Sequence, residues 1–265
     1  MIGTFSARAS DGCEVVARSS GTGDDALFFV HGVGSTAAIW DRQLEAFASS
    51  HRCFAVELRG NGAGPDPHLQ SITRERFAAD VLAVADAAQI RRFDFVGCSL
   101  GGVVAFELWK TAPERLASLT LVGSYAAYPD GRAYAARVIA AAEAAGSMAR
   151  FARERSAMLG LPPEREAETV EQMAAKSPGA YRASTLATWT GDYRPLLPSI
   201  TIPVLVVCGE RDGIAPPALS REIAHAIPRA RLEIVPGAGH VANADAPDVF
   251  DALLASFLTD GQKNI

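Results

Sequence analysis

Phe93-Asp94-Phe95-Val96-Gly97-Cys98-Ser99-Leu100-Gly101-Gly102 is the stretch on which the reading of this chain turns. Phe93–Gly97 reads as a strand. Leu100–Lys110 reads as a helix that must end before Pro113. Between them stands G-x-S-x-G. A serine hydroxyl alone is a poor nucleophile. A sharp strand-to-helix turn lifts its Oγ clear of the sheet and sets it at a helix N-terminus, where free N–H groups and the dipole favour negative charge. Gly97 and Gly101 are expected because a Cβ at either position would collide in so tight a turn. The pattern alone is weak, since Gly and Ser are common in turns; the strand before it and the helix after it make it specific. The plain alternative is a βα turn with a capping serine.

Outward from this turn the chain keeps one rhythm. Upstream, Thr4–Ala9 and Cys13–Arg18 flank the turn dipeptide Asp11-Gly12 and predict a hairpin. Ala26–Val30 is a short buried strand ending in His-Gly. Thr36–Ala48 has helical spacing. Arg52–Leu58 is a strand, closed by the turn-rich run Arg59-Gly60-Asn61-Gly62-Ala63-Gly64-Pro65. In Thr73–Ala88 the apolar residues Phe77, Val81, Val84 and Ala88 line one helical face. Downstream, Leu116–Val122, Val204–Cys208 and Arg231–Val235 read as strands, and Pro216–Ala226 and Pro247–Leu258 as helices. Strands alternating with helices predict an α/β fold with a mostly parallel sheet covered on both faces, and the hairpin adds antiparallel strands at one edge.

From about Tyr125 to Pro198 the rhythm breaks. The segment is Ala- and Arg-rich helix interrupted at Leu161-Pro162-Pro163 and Ser177-Pro178-Gly179. A helical insertion between two strands of one sheet reads as a lid over the strand ends, and an independent helical domain is the alternative. The expected division is a core of residues 1–124 and 199–265 with a helical cap at 125–198.

Composition excludes several classes. At 265 residues, about 73% of the unfolded surface is buried on folding, enough for a core without staples. A hydrophobic fraction of 49% and a charged fraction of 21% fit a globular chain. Lys+Arg 25 against Asp+Glu 30 gives a net charge of −5, so the basic footprint of a nucleic-acid or anionic-membrane binder is missing. Cys13, Cys53, Cys98 and Cys208 have no short spacing, which argues against a zinc or redox motif, and Cys53, Cys98 and Cys208, in or beside apolar runs, read as reduced core thiols that point to the cytoplasm. The N-terminal residues carry no apolar signal region and no run of about 18 apolar residues occurs. No phosphate-binding glycine motif follows a strand and opens a helix. No cofactor and no metal are expected; the partner is a small-molecule substrate, and a homo-oligomer is left open.

The chain resembles the α/β-hydrolase superfamily over nearly its whole length. His31-Gly32-Val33-Gly34, followed by Trp40, looks like the oxyanion loop. Glu57-Leu58-Arg59-Gly60-Asn61-Gly62 resembles the family's Asp-x-Arg-Gly-His-Gly turn, with Glu for Asp and Asn for His, a departure that would alter the pocket floor. Gly97–Gly102 is the elbow. Gly209-Glu210-Arg211-Asp212-Gly213-Ile214-Ala215-Pro216 and Gly237-Ala238-Gly239-His240 complete the set. The resemblance implies Ser99 as nucleophile, His240 as general base and Asp212 as its carboxylate, in the order usual for this fold. Glu210 and Asp192 are the rival acids. It also implies an oxyanion hole from the backbone N–H groups of Val33 and Leu100. His31 is expected to be structural; His51, His68 and His225 are expected at the surface.

The elbow, the length and the compact insertion resemble the enol-lactonase and small carboxylesterase branch. The expected function is a serine hydrolase acting on a small ester, lactone or enol-lactone through an acyl-enzyme. A carbon–carbon bond hydrolase of ring-cleavage products is the alternative with the same triad, and cofactor-free perhydrolases share it too. Haloalkane dehalogenases and most epoxide hydrolases carry Asp at the elbow, where this chain has Ser99. A non-hydrolytic binding protein on the same fold is a second class; labelling of Ser99 by a fluorophosphonate would separate it from an enzyme. Trp40, Tyr125 and Trp189 are candidate substrate contacts, with Tyr128, Met148, Met158 and Tyr193 behind them. Arg132, Arg137, Arg150, Arg153 and Arg155 read as a solvated face.

Overall fold

The computed structural model describes residues 1–61, 68–157 and 163–262, with backbone only at 163–165 and 261–262. Met158, the Gly62–Pro65 part of the glycine-rich turn and Leu161-Pro162 lie outside the described residues. Eight strands form one sheet: β1 (Gly3–Arg8), β2 (Glu14–Ser20), β3 (Asp25–Val30), β4 (His51–Val56), β5 (Phe93–Cys98), β6 (Leu116–Val122), β7 (Val204–Gly209) and β8 (Ala230–Val235). Their order is β1-β2-β4-β3-β5-β6-β7-β8. β1 and β2 run antiparallel to their neighbours, and all strands from β4 to β8 are mutually parallel. This is the mostly parallel, helix-covered sheet that the strand–helix alternation predicts.

Sequence explains which strands lie inside. All six residues of β7 (VLVVCG) are buried, and five of six in β3 (DALFFV). Such continuous apolar runs suit strands covered on both faces. β8, at the edge, is largely half-exposed and carries the Arg231–Glu233 pair at 2.6 Å, charges that blunt an unpaired edge.

Helices α1 (Asp41–Phe47), α2 (Arg74–Ala87) and α3 (Leu100–Thr111) connect the first parallel strands. α8 (Pro217–Ala226), α9 (Ala242–Asp245) and α10 (Pro247–Gln262) follow β7 and β8. The core has two layers. Leu44, Phe47, Phe250 and Leu254 pack on one face of the sheet; Phe77, Val81, Val104 and Ile223 pack on the other. From β3 the chain crosses one face to β4, then the opposite face to β5 on β3's other side. The loops leaving β3 and β5 therefore diverge, and the gap between them is where open α/β sheets bind ligands.

Differences from expectation are local. Thr36–Ala48 is not one helix: a 3-10 turn at Ala37–Trp40 precedes α1. The Ala37 N–H donates to Glu57 Oε2 at 3.0 Å, so a carboxylate from the loop after β4 receives a donor of the helix start. Between β6 and β7 the chain forms α4 (Gly131–Ala144), α5 (Met148–Ser156), α6 (Pro163–Ala174) and α7 (Pro178–Trp189), then a 3-10 turn at Arg194–Ser199. An isolated antiparallel bridge, Ala127 to Asp192, ties the two ends of this insertion, and the Tyr193 N–H donates to Ala126 O beside it at 2.8 Å.

Candidate active site

Ser99 stands between β5 and α3 with φ +53°. A non-glycine residue there is strained, and such strain clusters at functional sites. The surrounding glycines explain how the turn closes. A Cβ on Gly97 would lie 2.3 Å from the Gly101 carbonyl, and one on Gly101 would lie 2.4 Å from Val30 O. The Ser99 N–H donates to Val122 O at 2.9 Å, which fixes the elbow to β6. Cys98 is buried among Val96, Val122 and Leu205, also touches the cavity wall, and burial pushes its thiol well up.

Asp212 follows β7 and His240 follows β8. Asp212 Oδ1 accepts the N–H groups of Ile214 and Ala215, each at 2.8 Å, and Oδ2 lies 2.9 Å from His240 Nδ1. The two N–H groups stabilise the ionised carboxylate and fix its plane. Asp212 is 3% exposed, so these hydrogen bonds take the place of solvent around its carboxylate. Asp245 steadies the histidine loop, its Oδ2 accepting the Gly239 N–H at 2.7 Å. The rival acids lie elsewhere. Glu210 is exposed and accepts the Gly237 N–H at 3.0 Å; Asp192 is exposed and paired with Arg194.

Gly123, at the end of β6, was not foreseen. Its φ is +52°, and a Cβ would lie 2.6 Å from His240 O, 3.1 Å from His240 Nδ1 and 3.2 Å from Asp212 Oδ2. The Asp212–His240 pair therefore occupies room that only glycine leaves. A glycine directly after a strand was the available signal, and many ordinary turns share it.

Ser99 and His240 line one cavity with Gly32, Val33, Gly34 and Ile214. Gly32 passes close to the serine: a Cβ there would lie 3.3 Å from Ser99 Cβ. Leu100 is buried as the first residue of α3. From the insertion come Arg155, Thr169, Met173, Tyr181 and Trp189. The cavity volume is about 60 Å³, room for roughly four to six waters or a small organic group.

Several expectations need correction. Trp40 is fully buried, but against Phe29 and Phe250 on a face of the sheet, because the 3-10 turn swings it away from the cavity. Tyr125 stacks on Trp189 with ring centres 5.1 Å apart and gives its hydroxyl to Thr188 O; it packs the root of the insertion rather than the cavity wall. Tyr128 closes the same aromatic group. Its phenol is pushed up to about 12 by burial and by Tyr134. Tyr193 is bonded to Glu107, and Met148 lies inside the insertion's own apolar cluster. Of the three proposed contacts, Trp189 lines the cavity. Arg155 does not join the exposed Arg132, Arg137, Arg150 and Arg153: it is buried, lines the cavity and donates to Tyr134 Oη at 3.2 Å. His51 is buried beside Ser50, whereas His68 and His225 are exposed as expected. His31 is buried, with Nδ1 2.8 Å from Gly32 O and Nε2 accepting the Leu58 N–H at 3.2 Å.

The profile of the family described as alpha/beta hydrolase fold matches residues 25–247. The chain is 32% identical over 238 residues to a protein of Azorhizobium caulinodans named "Putative carbamate hydrolase RutD", covering 85% of this chain and 88% of that one. It is 27% identical over 230 residues to 3-oxoadipate enol-lactonase 2 of Acinetobacter baylyi, covering 85% of each. The crystal structure of the enol-lactonase from Burkholderia xenovorans LB400 superposes with a TM-score of 0.85 at 25% identity, over 96% of this chain and 100% of that chain.

Proposed function

We propose that this chain, which belongs to the α/β-hydrolase fold family and is a hydrolase, cleaves a small ester, lactone or enol-lactone through an acyl-enzyme on Ser99. One observation carries the reading: the Asp212 carboxylate, held by two N–H groups, bonds Nδ1 of a histidine that shares a cavity wall with the elbow serine. With Nδ1 engaged, Nε2 is the nitrogen left to take a proton. Ser99 Oγ attacks the carbonyl carbon as His240 accepts its proton. The carbonyl oxygen becomes an oxyanion that the N–H groups of Val33 and Leu100 stabilise, one such donor being worth about 3 kcal/mol of barrier. The imidazolium, stabilised by Asp212, returns the proton to the leaving oxygen. Water then repeats the sequence on the acyl-enzyme with His240 again as base.

Residues 125–198 serve as the lid of a core made from 1–124 and 199–265. Support comes from Arg155, Met173, Tyr181 and Trp189, which reach the cavity of Ser99. Free, buried Cys53, Cys98 and Cys208 suit a reducing compartment such as the cytoplasm. The carbamate and enol-lactone named for the relatives mark out the substrate panel to try first.

The test is labelling by a fluorophosphonate together with hydrolysis of p-nitrophenyl acetate, dihydrocoumarin and a carbamate ester. Wild type should label at Ser99 and turn over at least one acyl substrate. Ser99→Ala should lose both, with kcat falling by several orders of magnitude. A folded Ala variant that keeps more than a few per cent of wild-type kcat sinks the reading.

A further inference from the structure

Lys176 lies in the turn between α6 and α7 and is 7% exposed. Its ammonium donates to Ser35 O at 3.0 Å and to Asn61 O. These two carbonyls belong to separate loops, one leaving β3 and one leaving β4. The carboxylate of Glu57 attracts the ammonium from the core. Glu57 in turn accepts the Ala37 N–H at 3.0 Å and has Oε1 2.9 Å from His31 Nε2. Among the described residues, Glu57 and, behind it, His31 are the titratable groups on the core side of Lys176. A buried ammonium is costly unless each proton finds an acceptor, so this one has a defined position between insertion and core.

The loop it grips carries Val33, two residues before Ser35. The same loop is packed from the insertion at a second point. Gly34 has φ +83°, and a Cβ there would lie 2.7 Å from Met173 Cε. Insertion and loop are therefore coupled by a charge and by van der Waals contact. The departure of Glu57 from the family's Asp falls at the same place: one more methylene carries the carboxylate that faces the lysine.

We propose that Lys176 is a positioning residue which, while protonated, pins the 32–35 loop from the insertion and so holds the Val33 N–H where the oxyanion develops. The proposal rests on the Ser99 reading above. A neutral amine can still reach one or two carbonyls, but its bonds are weaker and the attraction to Glu57 is gone. Burial lowers the ammonium to about 8, with Glu57 opposing. Activity should therefore decline on the alkaline side through that region. Stability should move the other way. The folded value lies below the ordinary 10.5, so between the two the unfolded chain binds more protons, and this group's contribution to stability rises with pH. A lysine that merely supported the fold would not make activity fall while its stability term rises.

The experiment measures kcat and KM for p-nitrophenyl acetate from pH 6 to 10 in wild type, Lys176→Arg and Lys176→Met, with the fluorophosphonate labelling rate of Ser99 at each pH. Wild type should show an alkaline limb in kcat near pH 8. In Lys176→Met, kcat and labelling should fall about tenfold, less than the roughly 10²–10³ for losing an oxyanion donor outright. KM should stay within about twofold, and the limb should disappear. Lys176→Arg should retain kcat and move the limb to higher pH, since a guanidinium stays charged. A folded Lys176→Met enzyme with wild-type kcat and the same limb overturns the proposal. Should the Met variant not fold, a wild-type kcat flat from pH 7 to 9.5, or a limb unmoved in Lys176→Arg, overturns it equally. Ser99→Ala separates the two claims: if that variant is active, the nucleophile assignment fails; if it is dead while Lys176→Met behaves as wild type, the lysine's role alone fails.

Discussion

Asp212 makes three bonds with two oxygens, and that distribution predicts what an amide would do. The N–H groups of Ile214 and Ala215 need an acceptor. Asn at 212 would turn its oxygen toward them and its NH2 toward His240 Nδ1. Nδ1 would then have to accept, the proton would sit on Nε2, and His240 could not serve as the proposed base for Ser99. Asp212→Asn should lower kcat by about 10⁴-fold with KM and melting temperature little changed, as steady-state kinetics and a thermal melt will show. At this scale, Ser99, Asp212 and His240 were legible because glycines and strand ends flank each of them. Gly123 was not, since nothing in Leu-Val-Gly-Ser says that a histidine from far along the chain will lie against it. Trp40 and Tyr125 were misplaced because an aromatic residue after a loop carries no information about its direction. A 3-10 turn sends Trp40 against Phe250, and an aromatic stack takes Tyr125.

Helix α3 receives two demands, one at each end. Its start holds the elbow; farther along, the buried Glu107 accepts the Tyr193 hydroxyl at 2.6 Å and the Lys110 ammonium at 3.3 Å. Tyr193 leads into the 3-10 turn that returns the insertion to β7, so this contact anchors the insertion's exit to the helix behind the serine. Tyr193→Phe would leave Glu107 Oε1 buried without its donor, and should cost about 1–3 kcal/mol in a denaturant titration. Hydrolysis at saturating ester should be nearly unchanged, because the cavity wall is untouched. The strands were legible as elements because both-face burial writes continuous apolar runs such as Val204–Cys208. The insertion's helices were visible only in bulk. Its alanines suit any helical face, and the starts of two helices are fixed by single capping serines: Ser147 accepts the Arg150 N–H and Ser177 the Ala180 N–H.

Across the whole molecule, the candidate site residues Ser99, Asp212 and His240 gather where β5, β7 and β8 end, and the strand starts lie at the opposite end of the sheet. Asp94, near the start of β5, accepts the Ser118 hydroxyl at 2.5 Å and is pushed up to about 6 by burial, Asp25 adding to the effect. Its folded value lies above the ordinary 3.8, so between the two the folded chain binds more protons and stability falls as pH rises through the window. Above it the ionised carboxylate is a net cost. Full burial would make that about 3 kcal/mol; partial exposure reduces it to about 2 kcal/mol. Asp94→Asn keeps an acceptor for Ser118. It should raise stability by that amount at pH 7 and by little below pH 4, with kcat unchanged, as urea titrations at the two pH values will show. The strand order β1-β2-β4-β3-β5-β6-β7-β8 has a consequence for biosynthesis. The proposed nucleophile leaves the ribosome with β5 and α3. Its acid and base follow only after the insertion, with β7 and β8. A chain made only as far as α3 thus carries the serine without its proposed partners, and the proposed hydrolysis waits until β8 and the His240 loop have been made.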